Sequence, residues 1–216
     1  MTHVLDATPP AAERVTLDGH IAGAGSEEGT RVVVGRWLRS PLGAFADVMV
    51  ERPDGTRVLL APREDVAALV TRLYTFDAVH VVDVRVAADR AGRTWTVAAG
   101  PLDARLAIGG RTAVGRLLHG LPRAVTSADA TAGVVAAVAG VVLPGVRTRG
   151  TGRDGSPERY AAHDQHAVVR LDARWGDRSL GALRPVAPPV RFGFSSVPAR
   201  PTVTAVHVVI GARPTR

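Results

Sequence analysis

Lysine and cysteine are missing altogether: every one of the 27 basic side chains in this 216-residue chain is arginine. A lysine amine and a cysteine thiolate are two of the commonest covalent catalysts, and neither exists here. The absence excludes a Schiff base on a side chain, a thiol nucleophile, a disulfide, a thiolate metal site and the phosphate-binding lysine of a P-loop. Aromatic residues make up only 4% of the chain, too few for the stacking platforms on which single-stranded nucleic acids are held. Long hydrophobic runs are missing as well. The longest, 132–143, falls well short of the roughly 20 residues a spanning helix needs. Residues 1–29 carry acids and prolines rather than a basic stretch leading into an apolar run, so no secretory signal is read there. A cytoplasmic protein with no membrane partner is expected.

What is present is mostly Val, Ala, Leu, Gly and Arg. Apolar residues are 46% of the chain, enough for one sizeable core, and Val-rich, aromatic-poor material suits a sheet better than a helical bundle. Part of the Ala, Gly, Pro, Val and Arg bias reflects GC-rich codons. The expected fold is a single-domain, β-dominated α+β protein over residues 26–216 with an antiparallel, barrel-like sheet and two or three short helices. Residues 1–25, rich in Ala, Gly, Glu and Pro, read as a loosely ordered arm. The net charge of +7 is spread among 20 interspersed acids, which describes a mixed solvated surface and argues against a nucleic-acid partner. Self-association is left open.

Strand signals dominate. Residues 47–51 and 57–61 flank Pro53-Asp54-Gly55, a tight turn that predicts a hairpin. Pro62 and the acids Glu64 and Asp65 suit a helix start, and Val66, Leu69, Val70 and Leu73 recur at helical spacing. Residues 79–86 read as one alternating strand, and 93–99 and 102–108 continue an antiparallel meander through Gly100-Pro101. A second helix is expected over 111–121, and a third helix or buried strand over 128–143. A Gly- and Arg-rich loop follows over 145–157. From His166 the alternation predicts that Val168, Arg170 and Asp172 share one face while Val169, Leu171 and Ala173 share the other.

Gly43-Ala44-Phe45-Ala46-Asp47 enters the first hairpin of a long meander that carries helical insertions. In this respect the chain resembles the acetoacetate decarboxylase-like β-barrel family. The resemblance implies a closed or nearly closed antiparallel sheet around a small-molecule cavity, with Asp47 as the acid lining it. The decarboxylases of that family act through a Schiff-base lysine, which this chain lacks, so the resemblance cannot extend to their chemistry.

The densest group of proton-moving side chains is Glu158, Tyr160, His163, Asp164 and His166. On a strand, His163 and His166 point to opposite faces, which argues against a shared metal. Either imidazole is a candidate general base. Arg147, Arg149 and Arg153 form a loop able to close over an anion, or simply a solvated loop. Arg191-Phe192-Gly193-Phe194 places an Arg and two aromatics together, at a barrel mouth or in the core. Arg36 stacked on Trp37 is read as rim packing, and His207 as a structural histidine. The expected catalytic residues are therefore Asp47, His163 and His166, and the expected ligand-binding residues Arg147, Arg149, Arg191, Phe192, Phe194 and Tyr160, with no metal and no cofactor. The expected function is binding of a small anionic or carbonyl-bearing organic molecule, with carboxylate and imidazole acid–base catalysis if it is an enzyme. The competing readings are a non-enzymatic ligand-binding or accessory protein, and polyanion binding through the Arg loop.

Overall fold

A computed structural model describes residues 14–120, 149–194 and 197–212. Thirteen strands form one sheet: β1 (Val15–Ser26), β2 (Arg31–Arg39), β3 (Phe45–Glu51), β4 (Arg57–Ala61), β5 (Ala78–Val81), β6 (Val84–Ala88), β7 (Thr94–Ala99), β8 (Leu102–Arg111), β9 (Arg149–Thr151), β10 (Pro157–Trp175), β11 (Arg178–Ser179), β12 (Leu183–Arg184) and β13 (Thr202–Ile210). The described residues hold two helices, α1 (Glu64–Leu73) and α2 (Ala113–Gly120). The main path runs β5-β4-β3-β2-β1-β13-β10-β8-β7-β6, antiparallel except for the parallel pair β4 and β5 that α1 connects.

The chain connectivity forces this sheet to curl. Its two edges, β5 and β6, are joined by only Val82 and Asp83, a link that reaches about 11 Å at most. Laid flat, the ten strands of the path would hold those edges about 43 Å apart. The sheet therefore bends into a half-barrel, and β6 comes against β3. Each strand then has a concave and a convex face, and both are buried, which is why Val32-Val33-Val34 and Leu59-Leu60 read as continuous apolar runs. Val32, Val34, Val48, Val50, Leu60, Val97, Leu102, Leu106 and Leu171 fill the concave side. On the convex side Val33, Leu59 and Ala61 meet Val66, Leu69, Val70 and Leu73 of α1, together with Val186, Val190 and Phe192.

The helices follow their local chemistry. Glu64 and Asp65 sit at the positive end of α1, and its buried residues recur at the predicted spacing. Thr112 Oγ1 accepts the Gly115 N–H at 2.9 Å and caps α2. Gly115 is required where α2 crosses β10, because a Cβ there would strike the Gln165 carbonyl.

The structure matches the expected β-dominated, barrel-like single domain and corrects four details. Residues 15–26, assigned to a loose arm, form β1 in the middle of the sheet. The strand expected over 79–86 breaks at Val82-Asp83, where the chain passes from one edge to the other. The alternation from His166 fails because β10 shifts register between Val168 and Arg170, so Val168 joins Leu171 and Ala173 on the concave side while Val169 is 60% exposed. The element expected over 128–143 lies outside the described residues.

Candidate functional site

Strand register places a polar patch on the concave face, at one end of the half-barrel. Arg36 of β2 pairs with His20 of β1, His20 with Ala205 of β13, and Ala205 with Asp164 of β10. One row inward, Val34, Ala22, Val203 and His166 pair in the same order, and His166 meets Arg111 of β8. Alanine at 205 leaves the middle of the polar row low, and a cavity of about 620 Å³ opens above it. Trp95, Ile108 and Val203 supply its apolar wall. Arg93 and Gly92 of the β6–β7 turn stand at its rim, with Gly109 and Gly110 exposing backbone.

The electrostatics of this cavity are uneven. Asp164 accepts two hydrogen bonds from Arg111, at 2.7 and 2.8 Å, and one from the Gln165 N–H at 2.7 Å. The Arg111 contact is the main reason its carboxyl is held down at about 2. Asp164 thus stays ionised while its charge is matched. Arg36 lies over the Trp95 ring at 5.9 Å and Arg93 lines the same space, so two guanidinium groups face the cavity without a carboxylate of their own there.

The two histidines hold opposite tautomers. His166 Nδ1 lies 3.3 Å from the Gly109 carbonyl; a carbonyl only accepts, so Nδ1 carries the hydrogen and Nε2 presents a lone pair, 3.5 Å from Asp164 Oδ2. His20 packs edge-on against Trp95 and its Nδ1 is buried with no hydrogen-bond partner. Burial first, and Arg36 second, lower its pKa and keep the ring neutral. A stranded lone pair costs less than a stranded N–H, so the hydrogen of His20 belongs on Nε2. One imidazole is then a donor and the other an acceptor, two strands apart.

The expected site residues separate into several places. Only His166 lines the cavity. His163 is the extra residue of a β-bulge between Ala162 and Asp164, and its ring lies 6.4 Å from that of His207, which bonds Asp18 at 2.7 Å. Asp47 does not face the concave side. It lies on the convex parity of β3 with Phe45 and Met49, where Trp37 Nε1 donates to it at 2.8 Å, in the space left by Gly35. Burial raises its pKa to about 6. Arg191 turns to Glu51, with its backbone N–H at 2.7 Å and Nε at 2.8 Å, and Arg31 joins the same buried carboxylate at 2.9 Å.

Phe192 is core. Tyr160 and Phe194 do meet, at 5.9 Å, on the convex side. There the Tyr74 and Tyr160 hydroxyls donate to Glu158 Oε2 at 3.0 and 3.1 Å, the two hydroxyls also touch, and burial raises Glu158 to about 7. Arg149 is exposed on β9, and Arg147 lies outside the described residues. Convergence of Asp47, His163, His166 and Arg191 on one cavity is therefore not what the fold produces. The parity of β3 and the bulge at His163 keep them apart.

Sequence alone does not single out His20, Trp95 or Arg111, and the ring partner of Arg36 is Trp95 rather than the adjacent Trp37. The one local signal was alternation in β1, where Asp18, His20, Ala22 and Ala24 share a face. Among the described residues no three His, Asp or Glu side chains converge as a metal ion would require, and no helix is long and apolar enough to cross a membrane.

No protein family matches the chain, and neither does any curated protein. Among solved structures it is similar to one from Nitrosomonas europaea described as a "putative AttH", at 9% identity and a TM-score of 0.26, over 97% of this chain and 41% of that one. This chain thus spans less than half the length of that protein, and a likeness at that level adds nothing to the reading of the residues.

Proposed function

We propose that this protein binds a small organic oxyanion, a carboxylate or a carbonyl-bearing acid, in the concave-face cavity. The observation that carries the reading is the surplus of donors. Arg36, Arg93 and the Nε2–H of His20 face a space whose one carboxylate, Asp164, is already matched by Arg111. Such a lining leaves donors unsatisfied until an acceptor-rich ligand arrives. Trp95, Ile108 and Val203 offer its carbon skeleton an apolar wall. The resemblance to acetoacetate decarboxylase-like proteins supports this as far as a curled antiparallel sheet with a cavity. Of the residues expected from the sequence, His166 is retained in the site, while Asp47 and Arg191 are assigned to the packing of the convex side. Polyanion binding has less in its favour, because the Arg side chains concerned are spread among acids.

A thermal-shift screen of small carboxylates and keto acids tests the proposal. A ligand at a hundred times its Kd adds about 2.7 kcal/mol, which for a chain of this size raises Tm by about 5–10 °C. The expected outcome is such a rise in the native protein and its loss in Arg36→Ala. No shift with any carboxylate, or a shift that survives Arg36→Ala with Arg93→Ala, contradicts it.

A further inference from the structure

We infer that the cavity is catalytic as well as binding, and that it enolises a 2-oxo carboxylate, with His166 as the base and His20 as the neutral group that polarises the carbonyl. The inference rests on the oxyanion reading above and goes beyond it through the tautomers. Charge alone requires only guanidinium groups. The opposed donor and acceptor imidazoles facing one cavity have no purpose in simple anion binding.

The rows fix the distances. His20 and Asp164 flank Ala205 across two strand spacings, about 10 Å between backbones, and His166 lies one row inward. Side chains reaching in from both sides leave room for three or four ligand atoms over Ala205. With the carboxylate held by Arg36 and Arg93, the ketone oxygen falls to His20 Nε2–H and the neighbouring C–H to His166 Nε2.

The step balances within the site. The His166 Nε2 lone pair takes the proton from C3. The C–H electron pair becomes the C2–C3 double bond, and the carbonyl π pair moves onto oxygen, where the His20 Nε2–H holds it. Asp164, 3.5 Å away, balances the imidazolium that forms, and Arg111 holds Asp164 in place. Return of a proton from His166 to C3 regenerates the ketone, and no oxidant, metal or amine takes part. A neutral donor suits a nascent enolate because it offers a hydrogen bond without surrendering a full proton. The burial of His20 and the nearby Arg36 keep it in that state.

Proton NMR of 2-oxobutanoate in deuterium oxide, with the full chain, decides the matter. The C3–H signal is expected to wash out on the order of a hundredfold faster than in buffer with equimolar imidazole. His166→Gln should abolish this while calorimetric affinity for 2-oxobutanoate stays within threefold. Asp164→Asn should lower kcat with KM nearly unchanged, as a positioning residue requires. Ala205→Leu, which fills the floor with an apolar side chain, should remove both binding and exchange. Asp47→Asn is the control and should exchange like the native protein.

Binding without exchange above buffer, or exchange that persists in His166→Gln, overturns the catalytic inference and leaves the binding reading standing. No binding of 2-oxobutanoate overturns the catalytic inference, and no binding of any small carboxylate removes both. Circular dichroism on each variant identifies one that has not folded, and Ala205→Leu then serves as the independent variant.

Discussion

Asp47 shows how a single carboxylate can look functional and be held for another reason. It is 3% exposed, bonded to Trp37 and surrounded by convex-side core. Its pKa stands at about 6 in the folded protein against an ordinary 3.8, so between those values the folded state holds a proton that the unfolded chain has lost. Stability therefore falls as pH rises through this window, by about 3 kcal/mol when the shift is converted. Glu158 acts in the same direction between 4.5 and about 7. His20 acts in the opposite direction: its pKa is lowered in the fold, and stability falls as pH drops below about 6.5. Urea melts at pH 8 and pH 5 should show Asp47→Asn gaining at pH 8 relative to the native protein and losing that advantage at pH 5. A deficit of equal size at both pH values would mean that Asp47 acts through its hydrogen bond alone. Sequence could not assign Asp47 a side, because β3 is apolar on both faces and alternation without a polar face gives no direction.

At the scale of elements, β10 carries most of the difference between expectation and structure. Its nineteen residues cross from the convex cluster at Glu158 and Tyr160 to the cavity at Asp164 and His166, and then to the concave core at Leu171. The register shifts at His163 and between Val168 and Arg170 make these crossings. A bulge leaves little trace in composition, so the sequence shows an alternating strand and hides where its phase changes. The hairpin at Pro53-Asp54-Gly55, α1 and the meander of β7 and β8 were legible because their signals are local. The phase change in β10 makes a direct prediction. Val168→Thr, which buries an unpartnered hydroxyl, should cost about 1–3 kcal/mol, while Val169→Thr on the exposed side should stay within about 0.5 kcal/mol. Chemical denaturation of the two variants checks it, and the reverse ranking would restore uninterrupted alternation.

For the molecule as a whole, β-dominance was readable from Val content and turn spacing, but the position of the site was not. His20, Trp95, Asp164 and Ala205 are far apart in the chain and meet only because a ten-strand path closes on itself through a two-residue link. That closure divides the apolar residues into two cores and leaves the polar rows of β1, β2, β10 and β13 facing inward at one end. The absence of lysine acts at this scale too. Any turnover of a keto acid has to proceed without an imine on a side chain, so borohydride should trap no adduct within the chain; a reduced adduct found there by mass spectrometry would contradict this.

The central claim, that an oxyanion binds on the concave face beneath Trp95, is tested most directly by the indole N–H signals of the protein's three tryptophans. In the isotope-labelled protein, titration with 2-oxobutanoate should move the signal of Trp95, which lines the cavity, and leave that of Trp37, bonded to Asp47 on the other side of the sheet, in place. Movement of Trp37 with Trp95 unmoved would place the site against Asp47 on the convex side and contradict binding in the concave-face cavity.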